Sequence, residues 1–127
     1  MGRREHREVL IRAGVVAVRA RLLHNPVADR VWSALLPIYA QAEISHGLVH
    51  FSLGEPIPHA NRLPDLGSGA LAYSSELNWM AIGLAPRVVA AAPPGSLWSP
   101  WASMLDDVAL LRSVGSGERI AVLLAES

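Results

Sequence analysis

The sequence has no cysteine and no lysine, and all eleven of its basic residues are arginine. Without a thiol there is no thiolate nucleophile, no disulfide and no cysteine-held metal; without an ε-amine there is no Schiff base. Charge is sparse at 17%, and eleven acids cancel eleven bases. A chain of zero net charge has no overall field to gather nucleic acid or an anionic membrane. Nor does any uninterrupted apolar run approach the ~18 residues that a membrane-spanning helix needs. The stretch Met1 to Glu8 is basic and polar, and the apolar residues behind it are broken by Arg12, Arg19 and Arg21 with no small-residue cleavage pattern, which argues against a secretory signal. The expectations are no nucleic-acid partner, no membrane, no cofactor and a cytoplasmic location.

What is present is apolar: 51% of 127 residues. A chain of this length fits one domain, residues 1–127, and buries roughly two thirds of the surface its unfolded form exposes. The composition rules out a disordered chain and leaves apolar surface for a partner subunit, so a homodimer is expected. Residues 1–7 read as a flexible basic N-terminus.

Hydrophobic periodicity divides the chain into strands and two short helices. Val9 to Arg12 and Val15 to Leu23 form a hairpin turning at Ala13-Gly14, with Val16, Val18, Ala20 and Leu22 on one face and Arg19 and Arg21 on the other. Asn25-Pro26 starts a helix, because Asn caps free backbone donors and Pro fits the first helical position; Pro37 ends it at Leu36. Ile38 to Leu53 reads as strands around His46-Gly47, with Val49, Phe51 and Leu53 on one face and Leu48, His50 and Ser52 on the other. Gly54 to Gly69 holds three prolines and no periodicity, which marks a long irregular connection of the kind that carries function. Ala70 to Tyr73 and Asn78 to Leu84 make a second hairpin, and Val88 to Ala92 a short strand. Ser103 and Asp106 start a second helix whose Met104, Leu105, Val108 and Leu111 share a face. Ile120 to Ala125, apolar on both faces, is a final strand expected in the middle of the fold.

This order of elements resembles the small prokaryotic cyclophilin-like proteins. The resemblance runs over nearly the whole chain from about Glu8. It is carried by the hairpin at Ala13-Gly14, the stretch Leu23-His24-Asn25-Pro26-Val27-Ala28-Asp29, the strand His46-Gly47-Leu48-Val49-His50-Phe51, the run Leu66-Gly67-Ser68-Gly69-Ala70-Leu71-Ala72-Tyr73, and Gly115-Ser116-Gly117-Glu118-Arg119-Ile120. It implies a mainly β fold with two short helices, a cyclophilin-like closed β-barrel, and a ligand pocket on the outside of the sheet. The chain departs from the group between Pro86 and Ser103, which look shortened where such proteins carry another strand. It also lacks the Phe-x-x-Gln-Gly-Gly stretch and the pocket arginine of the isomerase branch, which argues against peptidyl-prolyl isomerase activity.

Three residues around the long connection carry the sharpest chemical expectation. Imidazole titrates near neutrality and a carboxylate can orient it, so His50, Glu55 and His59 form a candidate acid/base group. The commoner role of such residues is a solvent-facing strand position and a loop position. A metal site of His46, His50 and His59 is set aside, because no metal signature is present and Gly47 disrupts the spacing. No Gly-x-Ser-x-Gly elbow occurs. Among the aromatics, Phe51 and Trp32 are assigned to the core; Tyr73 and Trp79 could line an apolar pocket, and Trp98 and Trp101, beside Pro-rich turns, are placed at a pocket rim or subunit interface. Arg62 and Arg87 could clamp a carboxylate. The expected function is the binding of a small polar or carboxylate-bearing molecule, as a hydrolase, lyase or isomerase without cofactor that uses His50 or His59. The alternative is a non-catalytic module that assembles through exposed tryptophans.

Overall fold

The computed structural model describes residues 7–45, 47–54, 57, 65–84, 87–89 and 97–125, the side chains of 65 and 87–89 excepted. The fold is mainly β, a nearly closed antiparallel barrel of nine strands with two short helical segments. Strands β1 (Glu8–Ala13) and β2 (Val16–Leu22) form the opening hairpin. Its turn is made by Gly14, at φ 61°, and the fully exposed Val15. On β2, Val18, Ala20 and Leu22 are buried while Arg19 and Arg21 reach solvent and pair with Glu8.

Asn25 caps helix α1 (Pro26–Arg30) by accepting a hydrogen bond from the Ala28 N–H at 2.9 Å, and its amide donates to the Pro100 carbonyl at 2.8 Å. One side chain therefore starts the helix and ties it to the sheet. The helix runs on through a wider turn, Val31–Leu35, and ends before Pro37. Val27, Ala28 and Val31 close one end of the core.

Closure of the barrel is the work of one bent stretch. Strand β3 (Ile38–Gln41) pairs with β11 (Arg119–Leu124), whereas β4 (Glu43–Ser45) pairs with β5 (Leu48–Ser52). Between them Ala42 is fully buried; its N–H donates to the Glu118 carbonyl and its own carbonyl accepts from Gly117 N–H. The chain thus changes partner at Ala42 and joins both ends of the sheet. Strands β7 (Ala70–Ser74), β8 (Trp79–Gly83) and β10 (Ser99–Met104) complete the order β3-β11-β1-β2-β10-β7-β8-β5-β4.

Alternation splits the apolar residues between two layers. Val49, Phe51, Leu71, Tyr73, Met80, Ile82 and Trp101 fill the interior with the inward residues of β1, β2 and β11. The opposite face of β5, β7 and β8 carries a second cluster of Leu48, Ala72, Ala81, Leu66 and Trp98. It is covered in part by a ribbon of β6 (Asp65–Gly67) and β9 (Arg87–Val89). The ribbon lies so close that a Cβ at Gly83 would collide with the Gly67 carbonyl.

Several expectations change. Ser103 does not start a helix: it lies in β10, which pairs with both β2 and β7. The Asp106 carboxylate accepts from Arg19 N–H at 2.8 Å, which uses it to hold the strand end, and Asp107 instead caps a short 3-10 helix, Val108–Ser113. Leu111 is buried but Leu105 is exposed, so the expected helical face does not exist. The region from Pro86 to Ser103 contains β9 and most of β10. The long connection contains β6, a strand too short to show periodicity. Strand β11 does lie between two strands, yet only Ile120 and Val122 are buried; the outward Ala121 and Leu123 are part-exposed, and Leu124, on the inward face at the strand's end, is 57% exposed. Arg7, expected in a flexible terminus, is anchored by Asp29 and the Leu23 carbonyl, each at 2.8 Å.

Candidate functional site

The seam of the barrel is a groove. Where β3 leaves β5 to join β11, an opening of about 660 Å³ is lined by Tyr39, Gln41, Glu43, His50, Ser52 and Trp79 on its outer side, with Phe51 and Leu53 at its base. The volume is that of a small-molecule pocket. A second depression of about 680 Å³ lies on the other side of β3, shares Tyr39 and Gln41, and is bordered by Arg12 and Arg119. The barrel interior is packed: the space among Ile11, Phe51, Leu71, Met80, Trp101 and Val122 has no room for a water molecule.

His50 is the ordered polar group of the seam. It stands opposite Glu43 on β4 and Ala81 on β8, in a row of residues that share the outer face. Its ring stacks on Trp79 with centroids 3.8 Å apart and planes 12° from parallel. Its Nε2 lies 2.7 Å from Ser45 Oγ. The tight turn after β4, with Gly47 at φ 74°, sets this contact, because it brings Ser45 diagonally across from His50. Only 6% of His50 is exposed, so the ring is clamped on a face and an edge rather than free on the surface. If the hydroxyl donates, Nε2 is the acceptor and Nδ1 carries the proton; if the ring donates, the roles reverse. In either tautomer an oriented imidazole beside a groove is a geometry suited to proton transfer.

No family model and no curated protein matches the chain. Its fold does have a counterpart among solved structures. The solution structure of a hypothetical protein from Archaeoglobus fulgidus superposes with a TM-score of 0.74 at 19% identity, over 98% of this chain and 100% of that one. At that identity the likeness is one of fold alone.

The expected site residues separate. His50 lies in the seam groove, on the face opposite Val49, Phe51 and Leu53. Glu55, His59 and Arg62 lie outside the described residues, as does His46; Arg87 opens β9, with its side chain outside them. Tyr73 is wholly buried, its hydroxyl donating to Asn78 Oδ1 at 3.1 Å and accepting from Ile57 N–H at 3.2 Å. Trp98 and Trp101 are each 1% exposed, Trp98 in the outer cluster and Trp101 inside the barrel with its indole N–H 3.1 Å from Met80 Sδ. Neither is at a rim or an interface: strand β10, and not a Pro-rich turn, carries Trp101, and it turns that ring inward. Of the tryptophans weighed for a pocket, Trp79 is the one that lines the groove. Ser45, Glu43, Gln41 and Tyr39 were missed. The signal for Ser45 was available, since strands read on either side of His46-Gly47 place it one diagonal from His50; that for Gln41 and Tyr39 was not, because it depends on the bend at Ala42.

Proposed function

We propose that this chain is a small-molecule-binding protein of the cyclophilin-like type that takes a polar ligand in the seam groove, with His50 as the acid/base group. The observation that carries the reading is the clamped imidazole, stacked on Trp79, bonded to Ser45 and set at the edge of a groove of about 660 Å³. Ser45 acts as a positioning residue, and Trp79 offers an apolar face for a planar part of the ligand. Glu43, Gln41 and Ser52 supply acceptors and donors, and no arginine lines this groove among the described residues. That lining favours a neutral or cationic polar ligand over a carboxylate. Proton transfer at His50 calls for no cofactor, which suits a hydrolase, lyase or isomerase; prolyl isomerisation is not favoured, as the residues for it are missing. The alternative of an assembly module loses Trp98 and Trp101, which are buried, as contact residues and keeps the apolar composition as its support.

A thermal-shift screen of small amides, amines, cyclic imides and carboxylates tests the proposal, because a ligand that prefers the folded state raises its apparent stability. Amides or amines should stabilise the protein, and His50→Ala should remove the stabilisation while leaving the chain folded. A ligand whose effect survives both His50→Ala and Trp79→Ala binds elsewhere, and the proposal then fails.

A further inference from the structure

In an antiparallel ladder, residues alternate between turning both backbone groups toward a partner strand and turning both away. Ala42 turns both toward residues 117 and 118. Two and four residues back, Ala40 and Ile38 therefore face β11, and the N–H and C=O of Tyr39 and Gln41 face the seam. On β5, Leu53 N–H donates to the Asn78 carbonyl and the Gly47 carbonyl accepts from Leu84 N–H, both on the β8 side. Ser52 therefore turns its backbone groups the other way, toward the seam. The β4–β5 ladder stops at Glu43 opposite His50, and among the described residues no strand continues it. Among the described residues the groove thus has an open backbone edge on each wall, within a sheet whose other neighbouring strands are paired. An open edge is a template for an extended chain.

We infer that the seam receives a short extended peptide segment, which adds to the ladder at Gln41 and Tyr39 on one wall or Ser52 on the other. This rests on the seam being the ligand site and names the chemistry of the ligand. Glu43 is the acid beside the open edge, and no arginine among the described residues lines the groove to oppose it. A segment carrying a cationic side chain next to its paired backbone is therefore favoured, with an apolar side chain against Trp79. Backbone pairing supplies the affinity and these two side chains the selectivity.

The test is an amide NMR titration of the whole chain with a capped pentapeptide of alternating valine and lysine. The amides of Tyr39, Gln41 or Ser52 should shift and become slow to exchange. Methylating the peptide nitrogens along one edge, and then along the other, should abolish binding in one of the two cases. Where the shifts fall on Tyr39 and Gln41, Gln41→Pro, which removes a seam-facing N–H without touching a bond to β11, should weaken binding by about tenfold or more, whereas Gln41→Ala, which keeps the backbone, should stay within about twofold. No binding, binding that both methylated peptides retain, or shifts confined to other strands would overturn the inference. Small ligands that still perturb His50 and Trp79 in that event would leave the groove reading intact and remove only the peptide.

Discussion

His50 and Trp101 show how little a residue's type reveals about its work. Both are ring residues on strands, and alternation sends one outward and one inward. Trp101 is surrounded by the interior cluster and its indole N–H has found a sulfur. Trp101→Ala should therefore cost about 3–5 kcal/mol, the usual range for emptying a large aromatic site. Urea denaturation measures this, and a loss below about 1 kcal/mol would mean that the ring is not packed as described. His50→Ala is expected to behave in the opposite manner, with a modest effect on unfolding and a complete loss of ligand stabilisation. If His50 is the proton-transferring group, any turnover should also depend on pH, and His50→Ala should change that dependence. A pH profile unchanged in His50→Ala would assign the proton to another group.

At the scale of elements, short structures here depend on single side chains. Helix α1 has five residues and cannot stand by its own hydrogen bonds. Asn25 both caps it and bonds the Pro100 carbonyl on β10. Asn25→Ala should cost about 1–2 kcal/mol, more than a cap alone, because the carbonyl is left without its partner. Asn25→Asp, which keeps the cap acceptor but not the amide donor, should fall between the two. Thermal unfolding of the three proteins would order them, and equal midpoints for Asn25→Ala and the parent would show that the tie carries no stability. The ion pair of Arg7 with Asp29 is a weaker tie, since Asp29 is largely exposed and such pairs contribute about 0–1 kcal/mol.

For the whole molecule, the decisive residue is one with no functional group. Ala42 is the point at which the chain leaves β11 for β5, and its small side chain fits where the two ladders diverge. Ala42→Pro removes the N–H that bonds the Glu118 carbonyl and adds atoms to a filled space. The amides of Ile38 and Ala40, which face β11, should then exchange with solvent much faster, while those of the β1–β2 hairpin keep their protection. Hydrogen exchange followed by mass spectrometry reads this directly. Retained protection at Ile38 and Ala40 would mean that closure does not depend on this bond.

The sequence by itself determined the mainly β class, the two hairpins, the Asn25 cap and the face on which His50 stands, because each follows from local rules of period, turn and cap. The second helix was misread because Ser103 and Asp106 match a cap pattern whose residues are used by neighbouring strands, and β6 escaped notice because three residues have no period. Tertiary structure alone decided that Trp98 and Trp101 are interior while Trp79 borders the groove, since that depends on which strand lies beside which. It alone stacked the imidazole on Trp79 and opened the seam between β3 and β5. The bend at Ala42 that makes the groove is a competition between two possible partner strands, and no local pattern of residues records which one wins.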